Sequence, residues 1–175
     1  MKNRWVIPDI HGCLKTLKYL IENRINLSKD DSLYFLGDYI DRGKDSKGVI
    51  DYIISLQDSG YKIHCIRGNH EDYCIKAWEA DQKRFLFRSK IEKEWRKNGA
   101  NRTLQSFDAK RPRDINKFYI DWMKNTEYYI ELDNCILVHA GFNFKIENPF
   151  EDKYSMLWLR DFKVDKNKTG GKKVI

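Results

Sequence analysis

A chain of 175 residues with 41% hydrophobic and 14% aromatic content is long enough to bury one core, and its aromatics exclude a disordered polypeptide. The formal charge of +7 is diffuse, gathered in a stretch from Gln82 to Lys117 and a tail from Lys163 to Lys173, so it reads as a solvated basic surface ahead of a nucleic-acid face. No apolar run nears the roughly 18 residues of a membrane span, no secretory leader opens the chain, and four scattered cysteines (Cys13, Cys65, Cys74, Cys135) form no C-x-x-C pair, so a cytoplasmic location is expected.

In chain order, Trp5 to Ile7 is a short apolar run ending at Pro8-Asp9, and Leu14, Leu17, Leu20, Ile21 and Ile25 then recur at helical spacing. Ser32 to Leu36 is a second strand, followed by a helix through Val49, Ile50, Ile53 and Ile54 for which Asp45 or Ser46 serves as cap. Tyr61 to Ile66 is a third strand and Glu71 to Ala80 a further helix. This β-α-β-α-β order predicts a sheet of parallel strands with helices packed on it. From Asp81 to Lys117 the chain reads as helical in pieces, and Asp114 to Lys124 as one helix. Tyr128 to Leu132 and Cys135 to Val138 flank Asp133-Asn134 as a β-hairpin. No repeat or linker divides the chain, which reads as a single domain over 1–175.

Polar groups stand just after each strand: Asp9-Ile10-His11, then Gly37-Asp38-Tyr39-Ile40-Asp41-Arg42-Gly43, then Gly68-Asn69-His70-Glu71, then His139-Ala140-Gly141. Open α/β sheets build their sites at such strand ends. Singly, each has a plainer reading: Asp9 as a helix cap, Asp38 and Asp41 as turn residues, His70 and His139 as hydrogen-bonded core histidines. Jointly, three of the four histidines fall at strand ends beside carboxylate or amide groups, which chance placement does not explain.

These D-x-H, GDxxDRG, GNHE and HAG motifs, in this order, resemble the calcineurin-like metallophosphoesterases, in particular the bacterial and bacteriophage-type serine/threonine protein phosphatases. The resemblance spans Trp5 to Asp161 and includes Trp95 to Phe107 and Met156 to Arg160. It implies an αββα sandwich of mixed sheets flanked by helices. It implies two divalent ions, with Mn²⁺ expected and Fe or Zn as alternatives suited to the mixed oxygen and nitrogen donors. Asp9 and His11 would bind the first, Asp38 would bridge, and Asn69 and His139 would bind the second. A hydroxide between the ions would attack phosphorus. His70 would be the general acid oriented by Asp41, with Arg42 and Arg160 gripping phosphate. The plainer reading of Arg160 is a surface arginine after an aromatic strand, and Glu71 is expected only to favour its helix N-terminus.

The family pattern continues with a Gly-His segment absent here, so the second sheet and the second metal site are expected to be incomplete, and the sequence to be truncated. Hydrolysis of phosphoserine or phosphothreonine is the leading expectation. A dinucleoside tetraphosphate hydrolase is the alternative within the enzyme class, and an inactive phosphate-binding scaffold the alternative outside it. The partners expected are a phosphorylated protein or small phosphate ester, without membrane or nucleic acid.

Overall fold

The computed structural model describes residues 2–83 and 88–175. The first half alternates as its hydrophobic pattern requires: β1 (Arg4–Ile7), α1 (Leu14–Tyr19), β2 (Ser32–Phe35), α2 (Ser46–Asp58), β3 (Lys62–Cys65) and α3 (Asn69–Gln82). The three strands pair in parallel in the order β1-β2-β3. The helix expected from Leu14 to Ile25 changes pitch: after α1 the chain takes a wider π-type turn over Leu20–Ile25 and stops at Asn26, whose φ of 49° cannot continue a right-handed helix. Asp45 is the cap of α2, its carboxylate accepting from the Gly48 amide at 2.8 Å.

The polar stretch beyond α3 is helical in pieces, as expected: α4 (Lys90–Lys97), α5 (Ala100–Ser106) and a single 3₁₀ turn at Pro112–Asp114. Four of its positions, 84–87, lie outside the described residues. The next helix, α6 (Lys117–Lys124), starts three residues later than expected, because Pro112 favours a separate turn and the Asn116 side chain caps the Phe118 amide at 2.9 Å. The hairpin forms as β4 (Tyr129–Glu131) and β5 (Cys135–Val138), antiparallel, with Leu132 N–H donating to the Cys135 carbonyl at 2.8 Å across Asp133-Asn134. A short β6 (Lys173–Val174) pairs in parallel with β5. The segment before Arg160, an aromatic strand on the plainer reading of that arginine, is instead α7 (Lys153–Trp158). The Asp152 carboxylate caps it at Ser155, and that local start signal outweighs the strand propensity of the aromatics.

Alternation along two strands explains the layering. Leu33 and Phe35 of β2 turn toward the helices, into the large core with Val49, Ile50 and Ile53, while Tyr34 turns the other way. There it meets Ile66 and, from β5, Cys135 and Leu137, which form the layer between the sheets. Ile136 and Val138 of β5 face outward against Phe142 and Met156 of α7. Helices, sheet, sheet and helix thus stack in the expected αββα order. No helix among the described residues is long and apolar enough to cross a membrane.

Candidate functional site

The loops leaving β1, β2, β3 and β5 are tied into one platform. Ile10 and His11 amides donate to the Asp38 carbonyl at 3.0 and 2.8 Å, and Gly12 N–H donates to Tyr39 O at 2.8 Å. Gly37 and Gly68 let the second and third loops touch: a Cβ on Gly37 would lie 2.4 Å from the Gly68 nitrogen. Four of the six non-glycine residues with positive φ among those described are His11, Asp38, Asp41 and Arg42. Left-handed backbone costs free energy and persists only where its surroundings fix it, so its concentration at these loops marks a built site.

Glu71 does much of that fixing. Its carboxylate is fully buried and accepts four backbone N–H groups: Asp38 and Gly68 on Oε2 at 2.8 and 2.9 Å, Tyr39 and Ile40 on Oε1 at 2.9 and 3.3 Å. The expectation that it merely favours a helix N-terminus is therefore too small: it also fastens the β2 loop to the start of α3. Burial, then the neighbouring Asp38 charge, raises its pKa, against the pull of the backbone donors. Glu71 accepts the Gly68 N–H, the return half of a capping box, but glycine has no side chain to supply the other half, so the sequence signal is weak.

Two histidines flank Asp38 with defined tautomers. A carbonyl only accepts, so His11 Nδ1–H donates to Ile40 O and His139 Nδ1–H donates to Leu36 O, both at 2.8 Å. Each ring therefore leaves its Nε2 to face the same carboxylate: His11 Nε2 lies 3.5 Å from Asp38 Oδ2, and His139 Nε2 lies 3.7 Å from Asp38 Oδ1. Asp9, exposed at the rim, reaches 3.7 Å from His11 Nε2 and 4.0 Å from the His139 ring. The Asn69 amide lies 3.1 Å from His139 Nε2. With its oxygen inward it adds another acceptor to the cluster; turned over, its NH₂ would donate to Asp38 and His139 at 3.1–3.2 Å. The first orientation serves a cation and the second satisfies the cluster without one.

Metal-competent donor atoms thus fall into two triads sharing Asp38, namely Asp9-Asp38-His139 and His11-Asp38-His70, each with its atoms within 4.8 Å of one another. Oxygen and imidazole donors of this kind fit divalent transition ions. His70 reaches the second triad only at 3.9 Å, while its Nδ1 is committed to Asp41 Oδ2 at 2.6 Å. Burial opposes charge on His70, but the Asp41 hydrogen bond and the Asp38, Asp41 and Glu71 charges outweigh it and raise its pKa.

Arg42, exposed at the rim, points its guanidinium inward, with Nη1 2.6 Å from His11 Nε2 and Nη2 3.1 Å from His70 Nε2. It uses the lone pair a metal at His11 would use, so that contact and ion binding exclude each other. Arg160 follows α7 in an exposed position and makes no hydrogen bond or ion pair to these residues among those described. Two neighbours of Asp41 lie in the Trp95 to Phe107 segment of the resemblance, which assigns no role to either. Trp95 Nε1 donates to it at 2.7 Å and Thr103 Oγ1 at 2.5 Å, across sequence separations of 54 and 62 that no local pattern announces.

Paired acceptors at the strand ends of an αββα sandwich define the metallophosphoesterase class. Residues 3–175 match the calcineurin-like phosphoesterase family model, and the chain belongs to that family. Among curated proteins it is 26% identical over 139 residues to a symmetrical bis(5'-nucleosyl)-tetraphosphatase of Pseudomonas entomophila, covering 78% of this chain and 42% of that one. It is 28% identical over 155 residues to the protein of the same name from Buchnera aphidicola, covering 87% of this chain and 49% of the relative. The chain therefore spans less than half the length of these relatives. Among solved structures, a protein serine/threonine phosphatase from Saccharomyces cerevisiae aligns with a TM-score of 0.58 at 17% identity, over 90% of this chain and 52% of that one. A metallophosphoesterase from Sphaerobacter thermophilus aligns at 0.52 and 14% identity, over 79% and 46%. At these identities the likeness is one of fold. The curated relatives carry the tetraphosphatase name, so the serine/threonine subtype gains no support from them.

Proposed function

We propose that the chain is the catalytic part of a metal-dependent phosphoesterase acting on dinucleoside polyphosphates. The observation that carries the reading is Asp38, with an imidazole Nε2 facing each of its two carboxylate oxygens. Asp9, His11 and Asp38 would hold one divalent ion, and Asp38, Asn69 and His139 a second, with Mn²⁺ the first metal to try and Fe or Zn next. When bound, such a pair supplies Lewis-acid charge and an activated water for in-line displacement at phosphorus.

The chain's own residues supply the rest. Asp38 accepts the His70 amide at 3.1 Å, so its negative charge is held at the N-terminus of α3. His70, with Nδ1–H on Asp41, turns Nε2 into the site, where a proton can be passed to a departing oxygen. Arg42 lies beside that nitrogen and can grip a phosphate with two parallel N–H groups once it leaves His11. Arg160 would be a second grip, reaching in from the end of α7. The four free cysteines accord with a cytoplasmic setting.

The tetraphosphatase names of the curated relatives support the anhydride substrate. A second reading, hydrolysis of phosphoserine or phosphothreonine, is favoured by one observation, the buried His70–Asp41 pair. A serine alkoxide leaves only when protonated, whereas a nucleoside diphosphate departs as a stable anion. Assays with Mn²⁺ on diadenosine tetraphosphate and on a phosphoserine peptide decide between them. Release of ADP alone supports the first, and release of phosphate from the peptide alone supports the second. No turnover of either, with folded protein and bound Mn²⁺, would leave the non-catalytic scaffold.

A further inference from the structure

We propose that Trp95 and Thr103 are positioning residues, which hold the Asp41 carboxylate in one rotamer and through it aim His70 at the leaving oxygen. The proposal rests on the reading of His70 as proton donor. Asp41 is wholly buried and each of its side-chain oxygens is claimed: Oδ2 by His70 Nδ1 at 2.6 Å and Trp95 Nε1 at 2.7 Å, Oδ1 by Thr103 Oγ1 at 2.5 Å. A carboxylate torsion is broad and two-fold when left to itself. Here two donors from outside the loop remove that freedom, and neither donates to His70 itself.

The backbone is held by the same hands. Asp41 N–H donates to Thr103 Oγ1 at 2.8 Å and to Ser46 Oγ at 3.1 Å, while Asp41 sits at a φ of 70°. Trp95 and Thr103 are fully buried, on α4 and α5, either side of Gly99. Gly99 has a φ of 110°, and a Cβ there would lie 2.9 Å from the Arg42 nitrogen. The α4–Gly99–α5 hairpin therefore closes directly onto Asp41-Arg42, as a brace against the loop that aims both the proton donor and the phosphate grip.

The test uses the full chain and three variants, each checked by thermal melting. Thr103→Val keeps shape and loses the hydroxyl, Thr103→Ser keeps the hydroxyl, and Trp95→Phe keeps an aromatic and loses the N–H. The first readout needs neither metal nor substrate: the ¹H–¹⁵N signal of the His70 Nδ1–H bonded to Asp41. It should move upfield and broaden in Thr103→Val and Trp95→Phe and return in Thr103→Ser. The second, with Mn²⁺, compares phenyl phosphate with p-nitrophenyl phosphate, whose leaving group departs with little need of a proton. The kcat ratio favouring the nitrophenyl ester should rise by about tenfold in Thr103→Val and Trp95→Phe, and stay native in Thr103→Ser. An unmoved signal in folded Thr103→Val, or an equal slowing of both esters, overturns the proposal and leaves these residues a purely structural role. Should Trp95→Phe fail to fold, Thr103→Val decides alone. If the unaltered chain turns over neither ester, aryl monoesters lie outside its substrate class, and the ring signal alone judges the brace.

Discussion

Replacing Glu71 with glutamine changes one atom's worth of chemistry in a place where all four surrounding groups are donors. The carboxylate accepts from Asp38, Gly68, Tyr39 and Ile40 N–H groups, two on each oxygen. An amide has one oxygen, so its NH₂ must face two buried N–H groups, leaving them without an acceptor. At about 1–3 kcal/mol for each unsatisfied buried donor, the loss should be about 3 kcal/mol of folding stability. With a urea dependence of about 2 kcal/mol per molar, the unfolding midpoint should fall by about 1.5 M. Equilibrium urea unfolding followed by tryptophan fluorescence measures this. A midpoint within about 0.3 M of the unaltered protein would refute the reasoning, because it would mean that the loops do not depend on this carboxylate. Loss of Mn²⁺ binding should accompany the instability, since the same bonds hold Asp38 in its left-handed turn.

On the proposed ligand sets, Asp38→Asn should remove Mn²⁺ binding altogether, whereas His139→Asn should spare the ion proposed for Asp9 and His11; metal content after gel filtration distinguishes the two. Buried Asp81 takes salt bridges from Arg111 and Arg113; burial works against its charge, but these partners prevail and its pKa is lowered. Its contribution to stability is therefore full above the ordinary carboxylate pKa near 3.9 and lost as pH falls through the lower folded value. Asp81→Asn should cost about 3 kcal/mol at pH 7, and its melting curve should draw toward that of the unaltered protein as pH falls below the ordinary carboxylate range. Leu137→Ala, in the layer between the sheets, should cost about 3 kcal/mol by calorimetry, with Ile136→Val costing about 1.

Much of this molecule is legible in its sequence because local rules and tertiary demands agree. Short apolar runs became β2 and β5, parallel order followed from β-α-β alternation, and Asp45 capped α2. Asp38 and His11 meet because they follow the adjacent strands β2 and β1, and His139 joins them from the end of β5 in the facing sheet; strand ends are visible in a pattern of apolar runs. What stayed hidden depends on distance in sequence. Trp95 and Thr103 reach Asp41 from helices whose placement no periodicity encodes, and Arg160 is a motif residue whose side chain no bond ties to the cluster. Glu71 was underestimated because a capping residue looks the same in sequence whether it serves its own helix or a neighbouring loop. The segment before Arg160 reads as an aromatic strand only when aromatic content is weighed above the Asp152 cap that starts its helix.

The hairpin has a consequence for how the chain tolerates change. Tyr129 pairs with Val138 and Ile130 with Leu137, and two residues at Asp133-Asn134 set that register, with Asp133 also bonded to Arg4 of β1. Strand side chains alternate, so one residue inserted at that tip would slide β5 by a single step and exchange its inner and outer faces. His139, immediately after β5, would be carried with it and its ring reversed. A surface turn far from any reacting atom thereby acts as a gauge block for the chemistry, and an exposed position that looks free to vary in length is fixed to the residue.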